Sequence, residues 1–134
     1  MSSQNTALVR RGYEAFLRGD LDELEQILDP DLTWQWWDHG PWDCQNRDQA
    51  MSVIRERIGQ RAIGELREVI EIDDEQVLVI IKRAANSEIS NQDLGLPPDQ
   101  TETAQLLTIR DGKVVLMHAY RSKADALEAA RPSD

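Results

Sequence analysis

The stretch VLVIIKRAA, Val77 to Ala85, constrains the fold more than any other part of this chain. From Val77 to Ile81 it is unbroken aliphatic. A strand of that kind has no polar side to turn to water, so both of its faces must be covered. In a chain of 134 residues of which 30% are charged, such a run marks the middle of a layered core. The length fits one domain, residues 1–134, large enough to bury that core.

The segments around this run supply the layers. Leu66 to Ile72 reads as a strand that ends at the turn Asp73-Asp74-Glu75-Gln76. Thr101 to Ile109 and Lys113 to Arg121 flank Asp111-Gly112, the strongest short-range hairpin signal in the chain. Asn86 to Gln100 is the longest irregular piece, and loops of that length tend to be functional. Toward the N-terminus, Leu8, Val9, Tyr13, Phe16 and Leu17 recur at helical spacing, with Gly19 suited to end that helix. Asp20 caps a second helix with Glu23 in capping-box position, and Leu21, Leu24, Ile27 and Leu28 form its stripe. Asp29-Pro30-Asp31 then breaks the pattern. Leu32 to Trp37 alternates as a strand, with Leu32, Trp34 and Trp36 on one face. Asp48 to Ala62 predicts a third helix marked by Met51, Ile54, Ile58 and Ala62. Ser122 and Asp125 open a short C-terminal helix, Lys123 to Ala130. The order ααβαββββα is α+β.

Charge and composition exclude several functions. The net charge is −10, which repels phosphate backbones and anionic membranes, so neither a nucleic-acid nor a membrane partner is expected. No apolar run approaches the roughly 18 residues of a membrane span. The opening MSSQNTALVRR lacks the apolar core of a signal peptide, and a lone cysteine, Cys44, forms no internal disulfide; a cytoplasmic location is the expectation. All four tryptophans lie between Trp34 and Trp42 in TWQWWDHGPWDCQ, beside Cys44 and one of the two histidines. Asp38, His39, Asp43 and Cys44 do not make a zinc set, because no second histidine or cysteine stands at ligand spacing. No metal and no phosphate-binding glycine loop is expected, hence no cofactor.

Three segments resemble the SnoaL-like branch of the nuclear transport factor 2-like (ketosteroid isomerase-like) superfamily. YEAFLRGDLDELEQILDPDLTW is similar to its opening helices and first strand. QNRDQAMSVI is similar to the start of its third helix, with Asn46 where glycine is typical. LLTIRDGKVVLMHAYRSKADALEAA is similar to its closing hairpin and tail helix. The resemblance implies a cone-shaped fold: a curved antiparallel (mixed) sheet wrapped around three N-terminal-half helices, with a short C-terminal helix. It also implies a pocket at the open end and a homodimer.

In such a fold the first strand lines the pocket, so Trp34 and Trp36 are the expected walls, Trp36 being nearer the mouth, with Trp42 as a lid. Tyr13 and Phe16 reach the pocket from the first helix, and Tyr13 offers its hydroxyl to a ligand oxygen. Asp38 and His39 follow the pocket strand and are the acid–base candidates. Arg83 ends the most apolar strand, where it would pair with Glu88 or hold a ligand carboxylate. Gln105 occupies a place where relatives often carry histidine, so no base is expected there. On the last strand Val115, Met117 and Ala119 are read as the inner set. That assignment puts His118 and Tyr120 at the outer, dimer-forming surface; with the faces reversed, His118 would be the leading general base.

The functional expectation is a small-molecule-binding domain with an apolar pocket. It would act as a cofactor-independent isomerase, cyclase or hydrolase on a small oxygenated apolar substrate. The alternative is a noncatalytic dimeric ligand-binding or interaction module.

Overall fold

The computed structural model describes residues 2–36, 43–59, 65–83, 92 and 96–130. Helices α1 (Ser2–Arg18) and α2 (Leu21–Ile27) are followed by β1 (Leu28–Gln35) and α3 (Arg47–Gly59). Then come β2 (Glu65–Glu71), β3 (Gln76–Lys82), β4 (Glu102–Arg110), β5 (Lys113–Tyr120) and α4 (Lys123–Ala130). The strands form one curved, open sheet in the order β1-β5-β4-β3-β2. β1 runs parallel to β5, and every other neighbouring pair is antiparallel. This is the α+β arrangement that the sequence predicts.

β3 lies between two layers. Val77, Val79 and Ile81 face inward and join one core with α1, α2, α3 and the inner residues of β1, β4 and β5. Leu78 and Ile80 face outward and join a second core with Ala104, Leu106, Ala126 and Ala130. The small alanines of α4 let that helix lie close on the outer face. Covering both faces satisfies the requirement that the aliphatic run imposes.

Local signals explain most of the boundaries. Gly19 takes a φ of 79°, which ends α1 at little steric cost. The Asp20 carboxylate accepts a hydrogen bond from the Glu23 backbone at 3.2 Å and caps α2. Asp111 and Gly112 take φ values of 54° and 75°, as a tight turn joining β4 to β5 requires. The Ser122 hydroxyl accepts from the Asp125 backbone at 3.2 Å at the start of α4.

Three details differ from the sequence reading. Pro30 does not separate α2 from a later strand; it lies inside β1, which starts at Leu28. The pairing of β1 with β5 slips between Leu28 and Thr33. A proline is tolerated there because β1 is an edge strand with an irregular ladder. On β5, the pairing with β4 shifts between Thr108 and Ile109, so Val114 rather than Val115 takes the inner position beside Met117 and Ala119. Leu17, grouped with the buried face of α1, is 45% exposed.

Replacing Leu78 by alanine is expected to lower stability by about 3 kcal/mol, a core truncation on the outer side of the sheet. Leu17→Ser is expected to change it by less than about 0.5 kcal/mol, as surface substitutions do. Urea denaturation of both variants measures the difference.

Candidate functional site

Inside the cone, α1, α2 and α3 face the inner side of β1, β5 and β4 across a cavity of about 60 Å³. Its wall is almost wholly apolar: Val9 and Phe16 from α1, Leu24 and Ile27 from α2, Leu107 from β4 and Met117 from β5 contribute most of it. Gly12 brings α1 and α2 together here, since a Cβ at that position would meet the Ile27 Cδ1 at 2.4 Å. The neighbouring residue, Tyr13, enters the same space.

Tyr13 and Gln105 supply the polar feature of the cavity. The phenol donates to the Gln105 Oε1 at 3.0 Å, joining α1 to the inner face of β4. Both side chains are buried. Burial pushes the phenol far above its ordinary value of 10.0, so it stays protonated and acts as a donor, not a base. No charged side chain is in the described wall of the cavity.

The tryptophans divide their roles. Trp34 lines the cavity, is 4% exposed, and has its indole Nε1 buried without a hydrogen-bond partner among the described residues. Trp36 does not line it among the described residues; it stacks on Trp34 with ring centroids 5.2 Å apart and planes 23° apart. The sequence reading makes both indoles pocket walls; Trp34 is the one in the described wall. The physical reason is that Trp36 lies just past the end of β1 and packs onto its neighbour. Arg57 of α3 places its guanidinium 5.3 Å from the Trp36 ring centroid, within cation–π range. Sequence reasoning passed over Arg57, although a cation three places after Ile54 on the apolar stripe of a helix was a signal.

The return of the chain toward α3 is held at β1. Trp34 and Cys44 exchange backbone hydrogen bonds at 3.0 and 2.8 Å, and the Trp36 amide donates to the Asp43 carboxylate at 2.9 Å. Cys44 is buried, and its thiol is pushed up first by desolvation and then by Asp43, with Arg57 partly opposing. That is the setting of an inert thiol rather than a nucleophile. Asp38, His39 and Trp42 lie outside the described residues, as does Glu88.

The remaining candidates are dispersed. Tyr13, Phe16, Trp34, Gln105 and Met117 share the cavity. Arg83 does not line it; its guanidinium donates to the Gln100 carbonyl at 3.4 Å and its backbone pairs with Thr101. His118 is paired across from Leu106 on the outer face and stacks on Tyr120 with centroids 4.3 Å apart. The inward orientation on which a catalytic His118 depends is therefore absent. Among the described residues no cluster of histidine, cysteine and carboxylate side chains could hold a metal ion. No described helix is long and apolar enough to cross a membrane.

No protein-family model matches the sequence, and no curated protein matches it. Solved structures do resemble it. Bal32a, from a soil-derived mobile gene cassette, is 20% identical with a TM-score of 0.71, over 96% of each chain. A protein of Sinorhizobium meliloti named as a candidate polyketide cyclase is 18% identical with a TM-score of 0.67, over 89% of this chain and 98% of that one. A nuclear transport factor 2-like protein of unknown function from Burkholderia xenovorans is 16% identical with a TM-score of 0.67, over 90% and 84%. The fold is that of the nuclear transport factor 2-like, ketosteroid isomerase-like proteins, and at these identities the likeness concerns the fold alone.

Tyr13→Phe is expected to cost about 1–3 kcal/mol, because it strips the buried Gln105 oxygen of its donor. The double variant Tyr13→Phe/Gln105→Leu should recover much of that loss, and chemical denaturation of the two variants checks it. The raised phenol pKa also gives a sign. Its contribution to stability is complete below the unfolded-state value of 10.0 and declines as the pH rises above it. Between pH 9 and 11, roughly the span around an ordinary tyrosine, the wild type should lose more stability than Tyr13→Phe.

Proposed function

We propose that this protein binds a small, compact, largely apolar molecule carrying an oxygen, inside the cone between the helices and the inner sheet face. The observation that carries this reading is the buried Tyr13–Gln105 hydrogen bond in an otherwise apolar cavity. Small-molecule sites have this composition: apolar walls with a few placed polar groups. A core built only for packing would be filled more cheaply with aliphatic side chains, since buried polar groups must find partners.

The described wall offers hydrogen bonds but no acid or base that titrates near neutral pH. Turnover of the isomerase, cyclase or hydrolase kind would require Asp38 and His39, which follow Trp37 directly in the chain. Relatives in fold named as candidate polyketide cyclases and ketosteroid isomerases support asking for such turnover. A second reading, a noncatalytic dimeric module, is favoured by the size of the cavity. About 60 Å³ is well below the roughly 300–1,000 Å³ of ordinary ligand pockets. In that reading the stacked Trp34 and Trp36 are filling, and copies of the chain pair through the outer sheet face.

A thermal-shift panel of ketones, epoxides, lactones and small aromatic acids distinguishes the two. A ligand at 100 times its dissociation constant stabilises the native state by about 2.7 kcal/mol, which raises the melting temperature by several degrees. The binding reading expects hits among the uncharged compounds, weakened by Trp34→Ala. Hits that are turned over, and whose turnover Asp38→Ala or His39→Ala abolishes, would establish the enzyme. A flat panel together with a dimer in sedimentation would establish the closed module.

A further inference from the structure

The indole N–H of Trp34 is an anomaly in a well-packed interior. Tryptophan is a hydrogen-bond donor only, and this donor is buried with no acceptor while its side chain lines the cavity. Nearly all buried polar groups in native proteins are paired, and leaving one unpaired costs about 1–3 kcal/mol. The other polar groups of the wall do not relieve it, because the Tyr13 proton and the Gln105 oxygen are engaged with each other. A phenylalanine would fill much of the same space without the cost.

We infer that the cavity selects uncharged ligands by a carbonyl-type oxygen that accepts a hydrogen bond from the Trp34 indole N–H. This rests on the small-molecule reading of the cavity and adds the residue and the ligand chemistry that determine selectivity. The wall argues for the neutral class independently. Among the described residues it contains no cation to balance a carboxylate and no carboxylate to balance an amine, and an unpaired charge in such surroundings is strongly disfavoured. An alcohol can also accept, but it brings a proton of its own that must find a second partner, which a carbonyl does not. A ketone, ester or lactone carbonyl satisfies the indole and leaves nothing unpaired.

The test uses two probes of one shape, cyclobutanone and methylenecyclobutane, which differ in whether the ring bears an oxygen or a methylene. Both are titrated into the wild type and Trp34→Phe, followed by ¹H–¹⁵N NMR. Absolute affinities mix in the cost of desolvating the ketone, so the change on substitution is the quantity to read. The ketone is expected to lose about tenfold in affinity in Trp34→Phe, the value of one hydrogen bond, and the alkene less than about twofold. In the unsubstituted protein the ketone, and not the alkene, should move the Trp34 indole proton downfield, which decides the matter even where the variant folds poorly. Equal losses for both probes, or an indole resonance that the ketone leaves in place, would overturn the inference while the binding reading stands. If neither probe binds the wild type, the binding reading falls and this inference with it.

Discussion

A strand buried on both sides cannot form the edge or the surface of anything, and β3 passes that requirement to every element around it. Its inward residues need the helices, and its outward residues need α4. Because the flanking strands share the same sheet, they inherit two unequal faces. The inner face is concave and meets bulky side chains from α1, α2 and α3, while the outer face meets a short helix rich in alanine. The asymmetry leaves room on the inside, and the cavity is where that room remains.

What happens in that room follows from how few polar atoms enter it. The Tyr13–Gln105 bond ties the helix layer to the sheet, and beside it Gly12 leaves room for the Ile27 side chain of α2. Among the described residues no carboxylate is buried, and surface ion pairs such as Arg67 with Glu102 and Lys123 with Glu68 contribute little individually. The described wall of the cavity carries no charge. Its polar groups are a protonated phenol, an amide and an indole, neutral dipoles whose hydrogen bonds are electrostatically stronger in low dielectric than in water.

Much of the architecture is legible in the sequence because its signals are local. The Asp20 cap, the Asp111-Gly112 turn and the Ser122 cap each concern residues within a few positions of one another, and each operates as its residue types dictate. Pro30 was harder to place. Whether a proline ends an element or sits within a strand depends on whether that strand has a neighbour on its amide side, which is a property of the whole sheet. Val115 is similar, since a bulge on β5 reassigns faces without altering the apolar character of the segment. At the site, Tyr13, Phe16, Trp34, Gln105 and Met117 are recognisable as cavity residues once the resemblance supplies a fold. The bond between Tyr13 and Gln105 is not, because its partners are 92 residues apart. That Trp34 rather than Trp36 is in the described wall depends on how the two indoles stack, which no local signal carries.

The irregular start of β1 has an effect beyond the chain itself. A sheet edge is a template on which another strand can grow, and β1 occupies one end of this sheet. Along that edge Pro30 offers no amide hydrogen, Asp29 and Asp31 bring charge, and farther on Cys44 already pairs with Trp34. A foreign strand therefore finds no continuous ladder to extend. With that end closed to growth, β2 at the opposite edge is the side on which this sheet could still be extended.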